Sequence, residues 1–203
     1  VSDRRAREPD TVAVEAALSI SVRPPGSEEQ RLGLTMRTPG NDEELVLGFL
    51  HSEGIIDSMD DILGLQANGD GMVVNLSGSS DFDPSEHVRR STMTSSCGIC
   101  GRDTISSLLH IHGPPLSSSI RVSHEDVSKA IELLRASQQT FDLTGGSHAC
   151  ARALPGGDVV DSYEDIGRHN AMDKLVGNAL KQGEVPIGDE MVVVSGRASF
   201  ELV

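Results

Sequence analysis

Two thiols in a glycine-framed loop, Cys97-Gly98-Ile99-Cys100 followed by Gly101 and Arg102, are the sharpest chemical signal in the chain. The thiolate is the nucleophilic form of cysteine, and its pKa falls beside a cation or a helix N-terminus. Arg102 offers the cation, and a short helix expected over Asp103 to His110 offers the N-terminus. Gly98 and Gly101 free the loop backbone, so that a thiol could turn towards two different partners. Three chemistries suit such a pair: a redox couple, half of a metal site, or a sulfur carrier. The bland alternative is two incidental cysteines in a surface loop. A thioredoxin-like couple would follow a buried strand, and the polar run Arg89 to Ser96 is not one. Zinc takes about four Cys or His ligands. Cys97, Cys100, His148 and Cys150 can be drawn together on paper, but His148-Ala149-Cys150 lacks the spacing of a second ligand pair. No metal is expected, and Cys150 reads as a small hydrophobe on a buried strand face.

A second constellation concerns anions. Glu164-Asp165-Ile166-Gly167-Arg168-His169-Asn170 falls where a strand is expected to pass into a helix. A helix N-terminus presents unpaired N–H groups and partial positive charge, and Arg168 adds a planar fork matched to phosphate oxygens. Ser195-Gly196-Arg197-Ala198-Ser199 repeats the pattern at a second junction, and Gly145-Gly146 with His148 offers close backbone approach. An arginine near a helix start is usually a solvated surface charge. Two such junctions on one sheet edge, however, would enclose a crevice for a phosphorylated ligand. His51, His87, His110, His112 and His124 have no partner pattern and read as surface or packing residues.

The elements that must position these groups follow from periodicity. Val12, Val14, Ala16, Leu18, Ile20 and Val22 alternate as a half-buried strand, and Leu32, Leu34 and Met36 resume the pattern after Pro24-Pro25-Gly26. Asn41, with Glu44 three residues on, predicts a capped helix through Leu45, Val46, Phe49 and Leu50 that stops at Gly54. Met72, Val74 and Leu76 suggest a further strand. Ser123 caps a helix with Val127, Ile131 and Leu134 on one face. Ser147 to Leu154 and Asp158 to Tyr163 form a hairpin around Pro155-Gly156-Gly157, although the first arm could also be helical. Arg168 to Lys181 is a helix carrying Met172, Leu175, Val176 and Leu180. Met191 to Val194 reads as a fully buried strand, and Ala198 to Val203 as the start of a helix, so a further C-terminal piece is expected. The small, polar run Gly78 to Ser85 marks a boundary region. The division is then residues 1–94, a connecting segment 95–122 with the thiol loop, and residues 123–203.

Composition narrows the partners. The chain has 203 residues and a formal net charge of −14, which argues against general nucleic-acid binding. Four Phe, one Tyr and no Trp leave few rings for base stacking. No apolar run reaches the roughly 20 residues of a membrane span, and Val1-Ser2-Asp3-Arg4-Arg5 is unlike a secretion signal. Three cysteines are too few for a disulfide framework, so a cytoplasmic setting with reduced thiols is expected.

The same segments resemble the formate dehydrogenase accessory sulfurtransferase (FdhD) family. The resemblance runs from about Val12 to the end. It rests on Thr38-Pro39-Gly40 with Leu47 to Leu50, Ser52 to Ile56, Ser96 to Gly101, Phe141 to His148, Glu164 to Lys174, and Ser195 to Glu201. It implies a sulfur carrier that takes persulfide sulfur from a cysteine desulfurase and delivers it to the molybdenum (or tungsten) bis-molybdopterin guanine dinucleotide cofactor of formate dehydrogenase. Cys97 would carry the persulfide and Cys100 would assist or take it over. Gly145, Gly146, His148, Arg168, His169, Asn170, Ser195, Gly196 and Arg197 would hold the cofactor, a transient ligand that GDP-like nucleotides mimic. A homodimer is implied as well. The alternative is a non-catalytic chaperone for the same cofactor. The fold implied is α/β: a cytidine-deaminase-like three-layer α/β/α domain preceded by a smaller N-terminal α+β domain. Deaminases need H-x-E and P-C-x-x-C at two helix starts. Arg168-His169-Asn170 and Ser195-Gly196-Arg197 supply neither, so deamination is disfavoured. An Arg- and Gly-rich C-terminal segment that the family uses for the cofactor is not in this sequence.

Overall fold

A computed structural model describes residues 9–80, 82–83, 120–199 and 202. Strands β1 (Ala16–Arg23) and β2 (Gln30–Arg37) form the expected antiparallel hairpin. A second hairpin joins β3 (Ile62–Asn68) to β4 (Gly71–Leu76), and β4 runs parallel to β1, giving the order β2-β1-β4-β3. The alternation from Val12 overstates β1. Pairing starts only at Ala16 opposite Arg37, which leaves Val12 and Val14 78% and 65% exposed. β3 leaves little trace in the periodicity because its register shifts between Ile62 and Gly64.

Helix α1 (Asp42–Ser52) begins where expected, but Asn41 does not cap it. Asn41 lies in the left-handed region at φ 56° and its side chain makes no cap bond. The Asp42 carboxylate instead accepts two bonds from the Arg37 guanidinium, 2.7 and 2.8 Å long. Every residue from Leu45 to Leu50 is buried, as befits a helix covered on several sides. One cover is the first sheet, through Leu18, Ile20, Val22 and Val74. The other is α4 (Arg168–Gln182), which crosses α1 backbone against backbone. A Cβ placed on Gly48 would fall on the carbonyl oxygen of Asp173, and one on Gly177 on that of Glu44.

The second sheet is built from the predicted hairpin β5 (His148–Ala153) and β6 (Val159–Asp165), with β7 (Met191–Val194) on the far side of β5. Helix α2 (His124–Ser137) opens on a capping box between Ser123 and Asp126, and the short α3 (Gln139–Thr144) follows it. Ala149, Ala151 and Val193 meet Leu134 of α2 on one face. Cys150 and Val194 meet Ala171 and Leu175 of α4 on the other. The arrangement is therefore a three-layer helix–sheet–helix stack, with neighbouring strands all antiparallel.

Three expectations change here. Val127 and Ile131 are 39% and 52% exposed, because only Ala130 and Leu134 of α2 are buried against the sheet. β7 is an edge strand among the described residues rather than a fully buried one, and Val192 is 43% exposed. The helix expected from Ala198 is not formed at Ala198 and Ser199; Leu202, whose N–H donates to the Ser199 carbonyl at 3.0 Å, lies in a 3-10 turn, and residues 200, 201 and 203 of that stretch lie outside the described residues. Among the described residues no helix is long and apolar enough to cross a membrane.

Candidate functional site

β6 and β7 flank β5 and both oppose it, so they run in the same direction. Their C-terminal ends therefore emerge at the one edge of the sheet where β5 begins. This brings the Asp165–Arg168 turn, the Ser195–Arg197 turn and the Gly145–His148 entry into one crevice. The Ala149 N–H donates to Ser195 Oγ at 2.8 Å, and the Ser195 N–H to the Ala149 carbonyl at 2.9 Å. A Cβ on Gly196 would stand 3.2 Å from His148 Nδ1 and 3.8 Å from the Arg168 Cβ. A side chain there would press on the His148 ring.

Two features suit this crevice to an anion. Gly167, the residue before α4, has no side chain to cap the helix, whose N-terminus carries the positive end of the helix dipole. Arg168 Nε is buried and has no hydrogen-bond partner. A buried cationic donor without an acceptor is costly, and a bound anion would relieve it. Ser195 and Arg197 are exposed beside Gly196, and His169 is half-buried on the first turn of α4.

A cavity of about 660 Å³ adjoins the crevice, lined by Ile131, Leu134, Phe141, His148 and Val193 among others. That volume is in the range of small-molecule sites. The Arg135 guanidinium lies over the Phe141 ring, 5.1 Å from its centroid, and pairs with Asp142 at 2.6 Å. Glu164 braces this wall: its carboxylate accepts the Thr140 and Phe141 N–H groups at 2.8 and 3.0 Å and the Ser147 hydroxyl at 2.7 Å. Arg135, Phe141 and Glu164 were not singled out from the sequence as site residues. Phe141 carries a signal only through the motif stretch Phe141 to His148, and Glu164 only as the first residue of the anion constellation; Arg135 carries none.

Asn170 is not brought to the crevice with the others. Its amide donates to the Met36 carbonyl at 2.8 Å and to Asp165 Oδ1 at 3.0 Å, and its oxygen accepts from the Thr35 hydroxyl at 3.1 Å. Cys97 and Cys100 lie outside the described residues. Cys150 is buried on the α4 face, as expected, and burial pushes its thiol up to about 12. Among the described residues no group of three or more His, Cys, Asp or Glu could hold a metal ion.

Residues 13–203 match the model of the FdhD/NarQ family. The chain belongs to that family. Relatives within it include a sulfur carrier protein FdhD from Sulfurisphaera tokodaii, 40% identical over all of this chain and 75% of its own length. Another, also named sulfur carrier protein FdhD, comes from Streptomyces coelicolor and is 37% identical over 96% of this chain and 71% of its own. Among solved structures, a protein described as a formate dehydrogenase accessory protein from Desulfotalea psychrophila superposes with a TM-score of 0.72. It is 21% identical, and the match covers 96% of this chain and 70% of that one. That likeness shows a shared fold.

Proposed function

We propose that this chain is a sulfur carrier in the maturation of formate dehydrogenase, loaded as a persulfide on Cys97. Membership of the FdhD/NarQ family, with relatives named sulfur carrier protein, is the observation that carries the reading. In the loading step the Cys97 thiolate attacks the outer sulfur of a cysteine desulfurase persulfide. The donor's S–S bond breaks, the donor leaves as thiolate, and Cys97 holds the sulfane sulfur. Delivery as sulfide consumes two electrons, which a Cys97–Cys100 disulfide formed on release would supply. The recipient is the molybdenum bis-molybdopterin guanine dinucleotide cofactor of formate dehydrogenase, bound as substrate.

The crevice supports the binding half of this reading. Phosphates would satisfy Arg168 Nε at the positive, N-terminal end of α4, with Ser195, Gly196, Arg197 and His148 around them. The neighbouring cavity, with Phe141 under Arg135, has the size and lining for a guanine ring. The three-layer stack around β5 is compatible with a cytidine-deaminase-like unit, and a cytoplasmic homodimer is part of the same proposal. The test is mass spectrometry of the protein after incubation with a cysteine desulfurase and cysteine. One added sulfur on Cys97, lost in Cys97→Ser, is expected. No added sulfur, with GDP binding intact, would instead indicate a chaperone that hands the cofactor on unchanged.

A further inference from the structure

We propose that Asp165 and Lys174 are positioning residues for the anion crevice, and that they fix its floor by tying it to the first sheet through Thr38. Lys174 Nζ and Asp165 Oδ2 are 2.7 Å apart with side chains only 2% and 0% exposed. Burying two charges is unfavourable unless every remaining donor and acceptor is used, and here they nearly all are. Asp165 Oδ1 accepts the Gly167 N–H at 2.9 Å and the Asn170 amide at 3.0 Å. Asp165 Oδ2 accepts the Thr38 N–H at 3.1 Å. Lys174 Nζ donates to the Thr38 carbonyl at 3.0 Å and to the Glu164 carbonyl at 3.4 Å. The Ile166 N–H donates to the Thr38 hydroxyl at 3.0 Å.

The bonds converge on one short stretch of backbone. Glu164, Ile166 and Gly167 are each held by this network through a main-chain group, and Arg168 follows directly. None of the network's side chains is needed to touch a ligand. Its effect is to fix the turn that presents Arg168 and the first turn of α4. A preorganised donor set binds an anion more tightly than a mobile one, because ordering is not deducted from the binding energy. Thr38 stands just after β2, so the first sheet is part of the support of a crevice that lies on the second.

The inference rests on the nucleotide reading of the crevice, and the experiment separates the two. Affinities of the full chain for GDP and for guanosine are measured by calorimetry, with circular dichroism and thermal melting as folding controls. In Asp165→Asn/Lys174→Gln, which removes both charges and turns one of the two acceptor oxygens into a donor while keeping the side chains polar, GDP affinity should fall about tenfold. Guanosine affinity should stay the same, because guanosine has no phosphate to meet the α4 turn. An equal loss of both would mean general damage to the fold and would overturn the inference, as would an unchanged GDP affinity. If the double variant does not fold, Thr38→Val removes only the hydroxyl that holds Ile166. The same selective loss of GDP affinity is expected there, and its absence counts against the inference. Wild-type protein that binds no GDP would bring down the crevice reading and this inference with it. Normal wild-type binding with an unaffected variant removes this inference alone.

Discussion

At the scale of single residues, what decides a role is the surroundings rather than the side-chain type. Arg152 and Arg168 are both arginines with a buried guanidinium nitrogen that lacks a hydrogen-bond partner. Arg152 nevertheless has carboxylates around it, Asp161 at 3.0 Å, Glu184 at 2.7 Å and Glu190 at 3.7 Å. Its charge is compensated within the fold, whereas Arg168 Nε, without a hydrogen-bond partner, stands at the crevice proposed to take an anion. Arg168→Ala and Arg197→Ala should therefore weaken GDP binding by about 10- to 150-fold each, a charge-assisted bond being worth about 1.5–3 kcal/mol. Persulfide loading of Cys97 should be unchanged; a parallel loss of loading would contradict separate sites. Cys150 provides the complementary case. With its thiol pushed up to about 12, it is almost wholly protonated at pH 8. Peptide mapping should find it unalkylated by iodoacetamide in the native protein and fully alkylated in 6 M guanidinium. Cys150 as a buried hydrophobe was legible from its place in an Ala-rich strand. The internal duty of Asn170 was not, because its partners Met36 and Thr35 are more than a hundred residues away.

At the scale of elements, the α1–α4 crossing carries the most consequence. Gly48 and Gly177 allow the two helix backbones to touch, and what faces each glycine is main chain, which cannot rotate away. Gly177→Ala should therefore cost about 3 kcal/mol, the upper part of the usual overpacking range. Differential scanning calorimetry would show it as a fall in Tm of roughly 6–12 °C for a chain of this size. A melting temperature within a degree of wild type would mean that the helices can separate freely. Periodicity identified both helices, since each has an apolar face. It misjudged α2, where the stripe Val127-Ile131-Leu134 looks continuous but only Leu134 and the small Ala130 are buried. A helical pattern records which residues could be covered, while the angle of approach to the sheet selects those that are.

For the whole molecule, the charge balance sets a pH window. Arg37 holds Asp42 below the usual carboxylate range, and the Ser79 hydroxyl does the same for Asp61. Both stabilise the folded state above the unfolded carboxylate pKa, and the contribution is lost as pH falls through their lowered folded values. Asp173 acts in the opposite sense. Desolvation raises its carboxyl to about 7, and the Ser52 hydroxyl, 3.1 Å away, only partly offsets this. Between about pH 4 and 7 the folded state binds this proton more tightly than the unfolded chain, so stability falls as pH rises through that interval. Asp173→Asn should raise Tm at pH 8 and leave it nearly unchanged at pH 4; an unchanged Tm at pH 8 would rule out the burden assigned to this carboxylate.

Local spacing is sufficient for the β1–β2 hairpin, for α1 and α4, for the cap at Ser123, and for family membership, because each is written in residues close together in the chain; the β5–β6 hairpin is legible too, but not against a helical first arm. The crevice itself was decided only in three dimensions. His148, Arg168 and Gly196 meet because β5 lies between β6 and β7. Lys174 reaches Thr38 across 136 positions because α4 is pressed against α1 and its Asn170 bonds to Thr35 and Met36 of β2. Alternation and helical period encode which face of an element avoids water; they carry no record of which distant face it will meet, and that pairing is settled by packing.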